Sequence, residues 1–142
     1  MLNPNYIVGL VDGEGSFTAY IRNPDIDKNV KRRTRAEPRF FLRLVEKDKS
    51  ILYDLEKSFG CGNVYFQPDR RKNHQDCYRY DVVRRSDLEK VIIPFFKKHQ
   101  PKLKSKKIDF KIFCQIVERV QKGEHLTKTG LRRIYRLKQK MH

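Results

Sequence analysis

The segment that most constrains this chain is Tyr6-Ile7-Val8-Gly9-Leu10-Val11-Asp12-Gly13-Glu14-Gly15-Ser16-Phe17, where an apolar helical pattern runs into two carboxylates set among glycines. Tyr6, Ile7, Leu10 and Val11 recur at helical spacing and are expected to face a core. Gly9 and Gly13 are four apart, so on a helix they form a smooth stripe that a second backbone can approach closely. The acids therefore stand at the end of a buried element.

The rest of the chain divides by hydrophobic period. A first helix is predicted over 4–13, with Pro4 suited to its first turn. Residues 16–22 alternate, Phe17, Ala19 and Ile21 against Thr18, Tyr20 and Arg22, which is strand period. A basic loop over 23–37 carries Lys28, Lys31, Arg32, Arg33 and Arg35, and a second strand follows over 39–46. Asp48 is placed to cap a helix that Gly60 ends, and two more strands, 62–67 and 75–83, flank a basic turn containing Arg70. Ser86 is placed to cap a third helix. A fourth spans 105–121 with Ile108 on its apolar face, and a basic helix opens at Thr127 or Thr129. Helix, two strands, helix, two strands and then helices describe one α+β domain over 1–142, a four-stranded antiparallel sheet with helices on one face.

The sheet's other face is then left open. Thr18, Tyr20, Arg22, Arg39, Phe41, Arg43, Asn63, Tyr65, Gln67, Arg79 and Asp81 are expected there, a mixture of long hydrogen-bonding groups and aromatics suited to reading base edges. Charge agrees with a polyanionic partner: 33 Lys and Arg against 17 Asp and Glu leave a formal net charge of +16. Charge alone does not choose DNA over RNA, or an enzyme over a binder. Cys61, Cys77 and Cys114 include no Cys-x-x-Cys pair, so neither a disulfide framework nor a zinc site is suggested. His74 and Cys77 read as surface groups of the basic turn, and His125 as a local structural residue. The N-terminal uncharged run is too short for a membrane span and lacks a secretory signal's basic start, so the expected location is intracellular, bacterial cytoplasm or organelle.

Ile7 to Gly15 resembles the LAGLIDADG motif at all nine positions, with Val8 where the family usually has a smaller residue, Gly13 at the second alanine and Glu14 for the second aspartate. The resemblance is to LAGLIDADG homing endonucleases, specifically the single-motif members, and it reaches the tail through Gly123-Glu124-His125-Leu126-Thr127. It implies a fold in which two motif helices pack side by side, so one copy implies a homodimer with Val8, Gly9, Asp12 and Gly13 at the contact. It implies a sheet that saddles double-stranded DNA, helped by the loop bases Lys31, Arg32, Arg33 and Arg70. Glu14 takes the metal-binding position and Asp12 is the second, weaker metal candidate. Glu46, sharing the core-side parity of Phe40, Leu42 and Leu44, takes a water-positioning or ligand role, and Lys104, with Lys106 or Lys107 as alternates, the basic catalytic position. Mg²⁺ is the implied cofactor, with Mn²⁺ able to substitute and Ca²⁺ supporting binding without cleavage. The implied activity is a double-strand break with short 3′ overhangs in a long pseudo-palindromic target, in intron or intein homing. The rivals are an RNA maturase that helps its host intron fold without cutting DNA, and a metal-free DNA binder.

Overall fold

The computed structural model describes residues 1–25 and 36–142. Lys28, Lys31, Arg32, Arg33 and Arg35 lie outside the described residues. Helix α1 is Pro4–Glu14; the Asn3 side chain caps it by accepting the Asn5 N–H at 2.8 Å, and Pro4 occupies a position whose N–H has no helical partner anyway. Strand β1, Gly15–Ile21, follows with no intervening loop. A Cβ at Gly15 would lie 2.9 Å from the Val11 backbone, so only glycine permits this helix-to-strand turn, and the turn is what sets Glu14 at the junction.

Strand β2 is Ala36–Val45, antiparallel to β1 from Gly15 opposite Leu42 to Ile21 opposite Ala36. It starts earlier than its alternation suggests because Pro38 is tolerated. Pairing with strand β4, Cys77–Val82, begins only at Phe40, so Pro38 lies where β2 has a single neighbour. β2 also stops earlier. Residues Glu46–Asp48 form a 3₁₀ turn in which the Glu46 N–H donates to the Asp76 carbonyl at 3.2 Å. Helix α2, Lys49–Phe59, leaves that turn without the side-chain cap expected of Asp48, and ends as expected where Gly60 takes φ 71°. Strand β3, Asn63–Gln67, pairs with β4 and completes the sheet in the order β1-β2-β4-β3.

Residues 85–98 are helical throughout but not uniform: α3, Arg85–Asp87, passes through a π segment, Leu88–Ile92, into α4, Ile93–Lys98. Ser86 lies inside this run and caps nothing. Pro94 gives the π segment a cause, because it lacks an N–H and crowds the carbonyl four residues back, and the wider turn, closed by Ile93 N–H to the Leu88 carbonyl, relieves both. Helix α5 is Lys104–Gln121 and helix α6 is Lys128–Gln139, with Thr127 as the cap of α6, its hydroxyl accepting the Gly130 N–H at 3.0 Å. Thr127→Ala is expected to lower stability by about 1 kcal/mol, read from the urea midpoint.

The helices cover one face of the sheet, and the core between them is largely aromatic. Phe17 meets Phe40, Phe96, Phe110 and Phe113 at centroid separations of 5.0–5.5 Å. A second cluster joins Ala19 and Ala36 to Ile112, Ile116, Val120, Leu131 and Ile134, fixing α5 and α6 against β1. Two apolar residues expected inside stand outside: Tyr6 and Ile108 are each nearly half exposed. On α5 the buried stripe instead includes Asp109, whose carboxylate accepts the His142 N–H at 2.9 Å.

Candidate functional site

The end of α1 carries the two motif acids in different states. Glu14 is exposed, and its side chain makes no hydrogen bond or ion pair with any described residue. Asp12 is engaged through both oxygens, accepting the Lys102 N–H at 3.0 and 3.1 Å and the Leu103 N–H at 3.4 Å. Its partners lie about ninety residues away in the sequence. Lys106, an alternate to Lys104 on sequence grounds, donates its ammonium to the Gly15 carbonyl, on the other side of Glu14. Lys104 is exposed in the first turn of α5. The N-terminus of α5 is thus tied to the end of the motif helix by two independent contacts. Among the described residues no three His, Cys, Asp or Glu side chains converge. A metal at this end of α1 would therefore be held by Glu14, whose free hard oxygens suit Mg²⁺ or Ca²⁺, and not by Asp12, whose oxygens face N–H donors.

Glu46 is not on the strand that its parity assumed. It opens the 3₁₀ turn after Val45 and is exposed, so alternation along β2 does not fix its direction.

On the open face Arg79 and Asp81 form the central pair. The Arg79 Nε donates to Asp81 at 2.5 Å, its guanidinium stacks 3.7 Å above the Phe41 ring, Tyr65 donates its hydroxyl to the other Asp81 oxygen at 2.8 Å, and Arg39 lies 4.0 Å away. Register causes this convergence, since Phe41 and Asn63 flank Asp81 while Arg43 and Tyr65 flank Arg79. Asp81, expected as a DNA contact, is buried and saturated, so it orients Arg79 and Tyr65 instead of presenting an acceptor. Burial, and then the bond to Asp81, raise the Tyr65 phenol above its ordinary value. Asp81→Asn should strand a half-sequestered arginine and cost on the order of 2 kcal/mol, measured by denaturant unfolding. Tyr20, Asn63 and Tyr65 are exposed on the same face, with Thr18, Arg39, Arg43 and Gln67 half-buried, while Arg22 lies just past the end of β1.

The basic turn has its own acid. Asp69 accepts two bonds from the Arg71 guanidinium, at 2.7 and 3.0 Å, and one from Arg43 at 3.3 Å, while the His74 Nδ1 lies 3.5 Å from it. The Arg71 guanidinium, and then its backbone N–H, hold the Asp69 carboxyl well below the usual carboxylate range. His74 is exposed, in keeping with its reading as a surface group, whereas Cys77 is a buried strand residue whose thiol donates to the Gln75 carbonyl, which corrects its reading. Arg70 is exposed. Sequence reasoning missed Lys138. A concavity of about 490 Å³ brings it beside Thr18, Tyr20, Glu37, Arg39 and Arg79, so α6 adjoins the open face at its β1 edge. Its position in the basic tail was legible, but that adjacency depends on how α6 packs.

On α1, Gly9 and Gly13 are exposed, and a Cβ built on either meets nothing within 4 Å. Val8, expected at a helix contact, is buried within the chain at 5 % exposure and does not belong to that surface; Tyr6 does. No helix among the described residues is long and apolar enough to cross a membrane.

Comparison with known proteins adds three findings. The LAGLIDADG endonuclease family profile matches residues 7–117. "Probable intron-encoded endonuclease 3" of Neurospora crassa is 35% identical over 142 residues, covering 99% of this chain, which spans about a quarter of that relative's length (25%). Among solved structures, the homing endonuclease I-TnaI matches with TM-score 0.82 and 39% identity over 99% of this chain and 88% of its own. I-SmaMI bound to uncleaved DNA in the presence of calcium ions matches with TM-score 0.83 and 29% identity over 100% of this chain and 45% of its own.

Proposed function

Because this chain belongs to the LAGLIDADG endonuclease family, we propose that it is a site-specific homing endonuclease that hydrolyses phosphodiester bonds in a long, pseudo-palindromic double-stranded DNA. The break leaves short 3′ overhangs, and two copies of the 142-residue domain act together across a two-fold axis. The observation that carries this reading is the exposed, unengaged Glu14 carboxylate at the helix-to-strand junction below an open, arginine-rich sheet. The DNA held by I-SmaMI supports a duplex as partner, and the intron-encoded names of the curated relatives support homing and an intracellular site of action. An RNA maturase finds no comparable support among them.

Each side chain then has a task. Glu14 supplies anionic oxygens for a divalent ion. That ion, when bound, neutralises phosphate charge and lowers the pKa of attacking water. Lys104 stabilises charge on the scissile phosphate, and Glu46 orients water from its turn. Arg39, Arg43, Tyr20 and Asn63 meet base edges and phosphates, held in register by the Arg79–Asp81 pair. With a randomised duplex as substrate, cutting is expected in Mg²⁺, to persist in Mn²⁺, to give way to binding alone in Ca²⁺, and to stop in EDTA with recovery on adding Mg²⁺. Undiminished cutting in EDTA would overturn the proposal.

A further inference from the structure

We infer that Asp12 is a positioning residue for Lys104: its carboxylate fixes the start of α5 against the end of the motif helix, so that Lys104 and Glu14 address one phosphate. The inference rests on the roles proposed above for those two residues. Asp12 binds the Lys102 and Leu103 N–H groups, and Leu103 is the N-cap of α5, so the bond fixes the backbone immediately before Lys104. Lys106 closes the same junction by donating to Gly15, the residue after Glu14. Leu103 is half exposed and anchors nothing by burial. The segment thus takes its placement from these polar contacts, from the buried Pro101 just before it, and from the first buried residues of α5, Asp109 and Phe110.

Charge explains the choice of residue. Two N–H donors converge on one carboxylate, and a charged acceptor makes stronger hydrogen bonds than an amide. An asparagine can offer one oxygen to those donors but turns an NH₂ toward the other, so it retains part of the contact. An alanine retains none. Misplacing a reacting group by about 1 Å can cost 10²-fold in rate, so the effect should fall on the chemical step and leave DNA affinity alone.

The test compares the full chain with Asp12→Ala, Asp12→Asn, Lys104→Ala and the Asp12→Ala/Lys104→Ala double variant, on the target that the unmodified protein selects from a randomised duplex library. Under single turnover in Mg²⁺, Asp12→Ala is expected to cut about 10- to 100-fold more slowly and Asp12→Asn to fall between. The double variant should be no slower than Lys104→Ala, because a lysine already absent has no position to lose. Binding in Ca²⁺ should stay within about threefold. In metal-free protein, amide exchange at Lys102 and Leu103 should accelerate in Asp12→Ala, which reports the lost contact apart from catalysis. Multiplying effects of the two single variants would overturn the inference, as would wild-type cutting by Asp12→Ala or unchanged exchange at both amides. An unmodified protein that cuts nothing, or a Lys104→Ala protein that cuts normally, would instead remove the functional reading beneath it.

Discussion

Glu14→Gln is expected to slow cleavage by at least about 10³-fold while leaving duplex binding in Ca²⁺ nearly unchanged. The substitution keeps the shape of the side chain and removes its charge. Inside the chain nothing should respond, because Glu14 is exposed and bonds to no described residue, so the melting temperature should hold. The contrast with Asp12 is what gives the prediction its direction. Both acids belong to one short motif, yet one is engaged by backbone N–H groups and the other is free to meet a cation. Single-turnover rates on a cleaved target, with gel-shift binding in parallel, separate the cases. Retained cutting would remove Glu14 from the chemistry, and loss of binding in step with cutting would make it a docking residue instead.

The second large effect is expected on α1. Gly13→Leu or Gly9→Leu should reduce the proposed dimer to monomers, seen by sedimentation equilibrium, and with it abolish the proposed double-strand cutting. These glycines carry a cost that a single chain does not need to bear. A glycine inside a helix is worse than alanine by roughly 1 kcal/mol, and here no atom of the same chain would meet the missing Cβ. In a lone chain Gly9→Ala should therefore stabilise the helix by about 0.5–1 kcal/mol. If a second copy packs along Tyr6, Gly9 and Gly13, the same change should weaken self-association and lower a melting temperature that depends on protein concentration. A stabilised, concentration-independent Gly9→Ala protein would mean that this face of α1 stays bare.

Much of the fold was legible because period alone separates strands from helices in this chain. Phe17 and Ala19 alternate with Thr18 and Tyr20 and lie on opposite faces of β1 as expected, and Gly60 and Thr127 end and start helices as their chemistry requires. Period was silent where a backbone solves a local conflict. Pro94 brings in a π segment, the helical run starts at Arg85 and so takes in Ser86, and the chain turns at Glu46 before strand parity can orient it. The site divides in the same way. Alternation identified the face bearing Arg79 and Asp81, but their mutual saturation depends on Tyr65 and Phe41 arriving from two other strands. That Asp12 and Glu14 differ follows from a loop about ninety residues downstream, which no local pattern encodes. Tyr6 has helical spacing with core residues yet stands exposed beside two glycines, a surface that the proposed second copy of α1 would cover.

The most direct measurement is to incubate the full chain with a randomised duplex library in Mg²⁺ and sequence the ends produced. The account predicts one enriched target, nearly palindromic about its centre, cut on both strands to leave short 3′ overhangs, and absent when Glu14→Gln replaces the unmodified protein. A well-folded protein that leaves the library intact, yet binds a structured RNA tightly, would contradict it.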